Sequence, residues 1–94
     1  MKFGLYKHSK TGNYYYAYET LRNSENPDEV RVGYRALYGE YQRWDRPREM
    51  FSQPVVINGL TVNRFQYRGP LPILMKIKLF LVDLFGSEKY LWHR

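Results

Sequence analysis

The pair Asn58-Gly59 is the feature that most restricts how this chain folds, because it separates two apolar runs. Val55-Val56-Ile57 precedes the pair, and the run from Leu60 to Tyr67 follows it. Asparagine and glycine both accept the positive φ angles of a type I′ turn, and such a pair between apolar runs is the strongest short-range signal for a β-hairpin. The sequence therefore predicts a tight hairpin that turns at residues 58 and 59.

Two further segments alternate with the period of two that is typical of strands. In the segment from Asn13 to Leu21 tyrosines occupy every second position, and either face fits a core. In the segment from Val30 to Tyr38 the apolar residues lie on one side, which we expect to pack, and arginines lie on the other. With a first strand from Phe3 to His8 and a surface loop from Arg22 to Glu29, the pattern predicts a mainly β fold.

The region after Gly39 is expected to be a turn that extends to Arg48 and exposes aromatic and basic side chains. Within it, Asp45 is expected to cap a short helical turn that runs through Pro47 to Phe51, because proline suits an early helical position.

The chain changes character after Gly69, since residues 71–85 are almost all apolar. Pro72 suits a helix start and Gly86 a helix end, so we expect a helix, although Lys76 and Lys78 alternate with apolar residues and a strand also fits. The run falls short of the roughly 20 apolar residues that a membrane span needs. We therefore divide the chain into a β domain, residues 1–69, and a C-terminal appendage, residues 70–94, which either completes the same domain or serves self-association.

Composition restricts the classes of function. A chain of 94 residues supports one small domain with little depth for a catalytic cleft. Cysteine is absent, which fits a reducing compartment, and the first eight residues contain no apolar signal segment, so we expect a cytoplasmic protein. The net charge of +6 favours anionic partners such as nucleotides, nucleic acids or acidic proteins.

Three short motifs resemble the signature of a small bacterial and phage family of unknown function, DUF1653. They are Tyr34-Arg35-Ala36-Leu37-Tyr38-Gly39, then Trp44-Asp45-Arg46-Pro47, then Met50-Phe51. The resemblance covers residues 3–67, about two thirds of the chain. It implies a small SH3-like β-barrel and no established activity, and it implies the host cytoplasm as the location if a phage encodes the protein.

The candidate ligand site comes from arginines and aromatic residues around Gly39. We expect guanidinium groups to converge on one rim, where those of Arg35 and Arg46 engage phosphate and Trp44 stacks on a base. Tyr41 and Arg43 are expected at the rim. The remaining arginines of the group are Arg31 and Arg48. The alternative is that the arginines pair with Glu40, Asp45 and Glu49 in solvent. Tyr38 and Tyr41 are further candidates for the stacking platform, but Tyr34 and Tyr38 share the apolar side of their strand and are expected in the core.

No residue pattern indicates catalysis, a metal or a cofactor. His8 and His93 are far apart in sequence, and no glycine-rich phosphate loop or nucleophile motif occurs. His8 is expected to be a surface histidine. We therefore expect a non-enzymatic protein.

The apolar appendage predicts self-association, because a helix that is apolar nearly all round must be buried on more than one side. The expected interface residues are Ile77, Phe80, Leu81 and Leu84. A membrane surface is a further option for this helix. The leading hypothesis is thus a self-associating module that binds a nucleotide or nucleic acid. The alternative is a protein-interaction module, such as a phage-encoded counter-defence inhibitor of a host defence protein.

Overall fold

The structure of the chain, a computed structural model, describes the backbone of residues 1–92 and the side chains of residues 1–85. Seven strands and two helices follow one another along the described chain. The strands are β1 Gly4–His8, β2 Tyr14–Arg22, β3 Val30–Ala36, β4 Arg43–Pro47, β5 Pro54–Ile57, β6 Leu60–Asn63 and β7 Phe65–Tyr67. The helices are α1 Arg48–Phe51, between β4 and β5, and α2 Ile73–Trp92, after β7.

The strands form two antiparallel sheets, which confirms the mainly β prediction. One sheet has five strands in the order β4-β3-β2-β1-β7, and the other is the hairpin of β5 and β6. Backbone hydrogen bonds connect the hairpin to the larger sheet, since Arg64 N–H donates to the carbonyl of Gln53 at 3.2 Å and Ser9 N–H donates to the carbonyl of Arg64 at 2.8 Å. The short helical turn and the helical appendage are also present as expected.

The hairpin turn has the predicted geometry. Asn58 has φ 52° and Gly59 has φ 78°, which are the two positive angles of a type I′ turn. Ile57 and Leu60 are paired on either side of it. The hairpin prediction is therefore confirmed down to the residues that turn.

The core lies on one face of the five-stranded sheet and consists largely of rings. Phe51 of α1 stacks on Phe65 with 4.3 Å between ring centroids, and both contact Tyr34. Tyr6, Ala17 and Val32 complete the buried cluster, with Tyr15 packed against it. The core face of β2 is thus the face of Tyr15 and Ala17, which the alternation alone left open.

The region after β3 differs from its prediction. Residues 43–47 form the edge strand β4 rather than a turn, because they pair with β3 from Arg35↔Arg43 to Arg31↔Pro47. The chain reverses earlier, at Gly39 with φ 59° and Tyr41 with φ 57°. Pro47, not Asp45, stands at the N-terminal boundary of α1, and Asp45 pairs with Arg31 instead.

Tyr34 lies in the core as expected, with 5% of its surface exposed, whereas Tyr38 is 45% exposed. The prediction for Tyr38 was wrong because β3 ends at Ala36, so the alternation of faces does not extend to residue 38.

The appendage forms a helix, α2, and the strand alternative is therefore excluded. One stripe faces the sheet, where Leu71 just before the helix and Leu79 within it are buried. Apolar residues on its other sides stay exposed, among them Leu74 at 77% and Phe80 at 65%. Among the described residues no helix combines the length and the hydropathy that crossing a membrane requires.

Candidate functional site

The pairing of β3 with β4 distributes the predicted ligand residues over two faces of the sheet. Trp44 lies beside Tyr34 and Arg46 beside Val32, so both belong to the core face. Arg43 lies beside Arg35 on the opposite face, which α2 covers. The guanidinium groups therefore do not converge on one rim, because adjacent residues of a strand point to opposite sides.

Arg31 forms ion pairs with Glu29 and Asp45. Its environment therefore matches the alternative hypothesis, in which surface arginines pair with neighbouring carboxylates. These hydrogen bonds raise the pKa of the Arg31 guanidinium, which is consistent with a structural pair on the surface. Exposed pairs of this kind contribute little to stability.

Arg35 is buried, with 5% of its surface exposed, and its guanidinium is bound by other residues of the chain. Its Nη1 and Nη2 donate to the two carboxylate oxygens of Asp83 at 2.9 and 2.6 Å, and its Nε donates to the carbonyl of Tyr41 at 2.9 Å. Arg43 Nη2 donates to the same Asp83 carboxylate at 3.0 Å. The Arg35 and Arg43 guanidinium groups lower the pKa of Asp83, chiefly through the hydrogen bonds from Arg35.

Arg46 has a different environment on the core face. Its Nε donates to the Tyr34 hydroxyl at 3.0 Å, and its guanidinium lies 5.8 Å from the centroid of the Tyr34 ring. Within the described part of the chain, no carboxylate forms an ion pair with Arg46. Trp44, on the same face of β4, is 53% exposed. An anion that approached the Nη atoms of Arg46 would therefore not compete with a described carboxylate.

His8 joins this basic environment, although its sequence position gave no indication of it. Its Nδ1 accepts hydrogen bonds from the backbone N–H groups of Lys10 and Thr11 at 3.2 and 3.3 Å. The neutral ring therefore carries its proton on Nε2, because Nδ1 is an acceptor. Burial, followed by the charges of Arg64, Arg46 and Lys10, lowers the pKa of His8. His8 thus stays neutral near pH 7 and offers a hydrogen-bond donor next to two arginines.

Arg64 was also missed by sequence reasoning. It lies between β6 and β7, next to Phe65, which pairs with His8 across the sheet. Its Nη2 donates to the Gln53 side chain at 3.4 Å, while its buried Nε has no hydrogen-bond partner among the described residues. Only the pairing of β7 with β1 brings Arg64 near His8, and no local pattern in the sequence predicts that pairing.

Two tyrosines extend the same surface. The hydroxyls of Tyr15 and Tyr38 are hydrogen bonded at 2.8 Å, and the two rings meet edge to face with centroids 5.6 Å apart. Burial and this hydrogen bond raise the pKa of Tyr15, so its hydroxyl stays protonated at pH 7. We call this surface the basic aromatic cluster, and we define it by six residues. They are His8, Tyr15, Tyr38, Trp44, Arg46 and Arg64.

Among the described residues, no group of three or more histidine, cysteine or acidic side chains is placed to hold a metal ion. The side chain of His93 lies outside the described residues.

Comparison with known proteins identifies a family. The family model of DUF1653, described as a protein of unknown function, matches residues 4–67. A crystal structure of a DUF1653 protein from Bordetella bronchiseptica superimposes with a TM-score of 0.67 at 28% sequence identity, covering 77% of this chain and 92% of that one. None of the curated proteins matches the sequence.

Proposed function

Because the chain belongs to the DUF1653 family, whose description gives a name and no activity, we propose a function from the geometry of the basic aromatic cluster. The protein is a non-enzymatic module that binds a planar anion, a nucleotide or a nucleic acid. Arg46, Arg64 and His8 hold a phosphate group, and Trp44 stacks on the base. The appendage mediates self-association.

The observation that carries the proposal is a concentration of positive charge and donors that the described chain leaves without a counter-anion. Arg46 and Arg64 lie close enough to His8 to lower its pKa, yet no described carboxylate forms an ion pair with either arginine. Holding two guanidinium groups near each other costs free energy unless an anion neutralises them. A phosphate supplies that anion and accepts hydrogen bonds from guanidinium nitrogens in pairs.

The buried Nε of Arg64 does not carry this argument. A buried donor without a partner costs about 1 to 3 kcal/mol. A ligand oxygen would recover that cost only if it displaced the groups that bury Nε, so the proposal rests on the exposed nitrogens of the cluster and not on this atom. His8 contributes a neutral donor through Nε2, because its Nδ1 is already occupied by two backbone N–H groups.

The stacking part of the proposal rests on exposed rings beside these charges. Trp44 is 53% exposed and Tyr38 is 45% exposed, so part of each ring is accessible to a ligand. Stacking of a base on an aromatic ring contributes roughly 1 to 3 kcal/mol. Arg35, by contrast, supports α2 in this proposal, because Asp83 already binds its guanidinium.

A binding titration tests the proposal. The ligands are nucleoside monophosphates, a short DNA single strand and a DNA duplex, and binding is followed by Trp44 fluorescence in a Trp92→Phe background. Arg46→Gln should weaken binding roughly tenfold or more, because a charge-assisted contact is lost. The matched control is Arg48→Gln, whose side chain is exposed on α1 outside the cluster. Affinity should also fall as salt rises, and more steeply for a polymer than for a mononucleotide.

The proposal fails if none of these anions binds, or if Arg46→Gln and Arg48→Gln lower the affinity equally. The second outcome would mean that net charge, and not the cluster, attracts the ligand.

A protein-interaction function is the second candidate, and the exposed apolar residues of α2 favour it. Four residues expected at an interface are exposed on this helix. They are Ile77 at 51%, Phe80 at 65%, Leu81 at 44% and Leu84 at 51%. Exposed apolar groups that lie together on one element are typical of a contact with another protein or another copy of the chain.

A further inference from the structure

A cleft of about 380 Å³ lies between α2 and the face of the large sheet that is opposite the core. We call it the α2 cleft. It is separate from the basic aromatic cluster, because its strand residues point to the other side of the sheet. Its volume falls within the roughly 300 to 1,000 Å³ of small-molecule sites.

The walls of the α2 cleft are aromatic and aliphatic. Tyr16 and Tyr18 of β2 form one wall, with 5.8 Å between their ring centroids, and Leu79 and Phe80 of α2 form the other. An apolar or aromatic molecule therefore has surfaces to contact on both sides.

The described charged residues of the α2 cleft carry an excess of positive charge. Among the described residues that line it, Arg35, Arg43 and Lys76 are positively charged and Asp83 supplies the single carboxylate. Asp83 accepts two hydrogen bonds from Arg35 and one from Arg43. Among the described residues no carboxylate forms an ion pair with Lys76.

Arg43 keeps further donors for a ligand. Only its Nη2 contacts Asp83, its side chain is 58% exposed, and its guanidinium lies 5.9 Å from the centroid of the Tyr18 ring. An anionic group placed between Arg43 and Lys76 would thus meet two cations at the edge of an aromatic wall.

We propose that the α2 cleft is a second binding site, and that its ligand is a small aromatic anion. The aromatic body lies between the tyrosines of β2 and the apolar side of α2, and the anionic group binds Arg43 and Lys76. Asp83 stays in place and holds Arg35 and Arg43 in position. This site requires no nucleotide and does not depend on the function proposed for the basic aromatic cluster.

The probe for this site is 1-anilinonaphthalene-8-sulfonate, an aromatic sulfonate whose fluorescence rises in apolar surroundings. Its neutral comparison is N-phenyl-1-naphthylamine, which has the same ring system without the sulfonate. Titration of the full chain should show saturable binding of the sulfonate, with the neutral compound binding at least roughly tenfold more weakly, because charge-assisted contacts are missing.

Lys76→Gln and Lys78→Gln form the matched pair of variants. Both lysines are on α2, but Lys76 lines the cleft while the Lys78 ammonium lies 5.4 Å from the centroid of the Tyr41 ring. Lys76→Gln should weaken sulfonate binding roughly tenfold, and Arg43→Gln should do the same. Lys78→Gln should leave it unchanged, and a thermal melt of each variant checks that the fold is retained.

Leu74→Gln tests whether the dye binds in the cleft or on the exposed outer side of α2, where Leu74 is 77% exposed. The proposal predicts no change for this variant. It is overturned if Leu74→Gln removes the fluorescence, if the two lysine variants bind alike, or if the neutral compound binds as tightly as the sulfonate.

Discussion

Arg35 and Asp83 form a bidentate ion pair that connects the five-stranded sheet to α2. The guanidinium is almost fully buried while the Asp83 side chain is 46% exposed, so the pair stands at the edge of the helix contact. The three donors that reach Asp83 from Arg35 and Arg43 hold its pKa below its ordinary value. Together with the buried Leu71 and Leu79, this pair positions the appendage on the domain.

Replacing Asp83 by asparagine should destabilise the protein by about 1 to 3 kcal/mol, because the buried Arg35 guanidinium would lose its counter-charge. Urea denaturation measures the change. Asp28→Asn is the control, since Asp28 is exposed in the loop between β2 and β3. Equal stability of the two variants would show that the Arg35–Asp83 pair does not stabilise the fold.

The same pair predicts a pH dependence. A carboxylate with a lowered folded-state pKa stabilises the fold above its unfolded pKa, near 3.8, and this contribution disappears as the pH falls through the still lower folded value. Wild type should therefore lose stability more steeply below about pH 4 than Asp83→Asn does. Both proteins also lose stability below pH 6.5 because of His8, whose folded-state pKa is lowered from 6.5. This loss is the same in wild type and in Asp83→Asn, so it does not affect the comparison. Parallel curves for the two proteins would contradict the prediction.

Sequence predicted the elements whose signals are local. Asn58-Gly59 indicated the hairpin, and the alternation in Val30 to Tyr38 identified the packed side of β3, because turn angles and side-chain alternation depend on neighbours along the chain. It did not predict β4, since Arg43 to Pro47 has no apolar alternation and becomes a strand only by pairing with β3. The edge of a sheet accepts such a polar segment because one side is open to water.

The candidate site shows the same division between local and non-local information. Trp44 and Arg46 were identified from their motif, and they lie together on one face. Arg35 belongs to the same stretch of sequence, but strand pairing places it on the opposite face of the sheet. Its partner there, Asp83, is 48 residues away in the chain, so no local pattern indicates the pair. His8 and Arg64 were missed for the same reason, since β1 and β7 meet only in the folded sheet.

Gly59→Val should destabilise the protein by about 1 to 2 kcal/mol, because a β-branched residue at φ 78° is strained. A Cβ at residue 59 would meet no atom of the described chain within 4 Å, so the effect would come from the backbone angle alone. Thermal melting measures it. Asn58→Gly is the control, since glycine accepts the φ of 52° at that position and should melt near the wild-type temperature. A Gly59→Val protein with wild-type stability would exclude a type I′ turn in solution.

Self-association through α2 is tested by changing its exposed apolar residues. Light scattering should show more than one chain per particle for the wild type and a monomer for the double variant Leu81→Asp, Leu84→Asp, because charges are expensive to bury in an interface. Ser24→Asp with Asn26→Asp adds the same charge in the exposed loop between β2 and β3 and should leave the mass unchanged. A monomeric wild type would overturn the prediction.

Truncation after Gly69 should leave a folded monomer, because all seven strands end by Tyr67 and α2 adds no strand to either sheet. Gly69 is retained because its carbonyl accepts a hydrogen bond from Leu5 N–H at 2.8 Å and so completes the end of β1. The loss of α2 exposes Arg35 to water, whereas Asp83→Asn leaves its charge buried and without a counter-charge. The free-energy cost of the unpaired guanidinium should therefore be smaller in the truncated chain than in Asp83→Asn. Circular dichroism and a urea titration of residues 1–69 check the fold, and light scattering checks the mass. An unfolded fragment would show that the burial of Leu71 and Leu79 is indispensable to the domain, and that the appendage belongs to its core rather than to assembly.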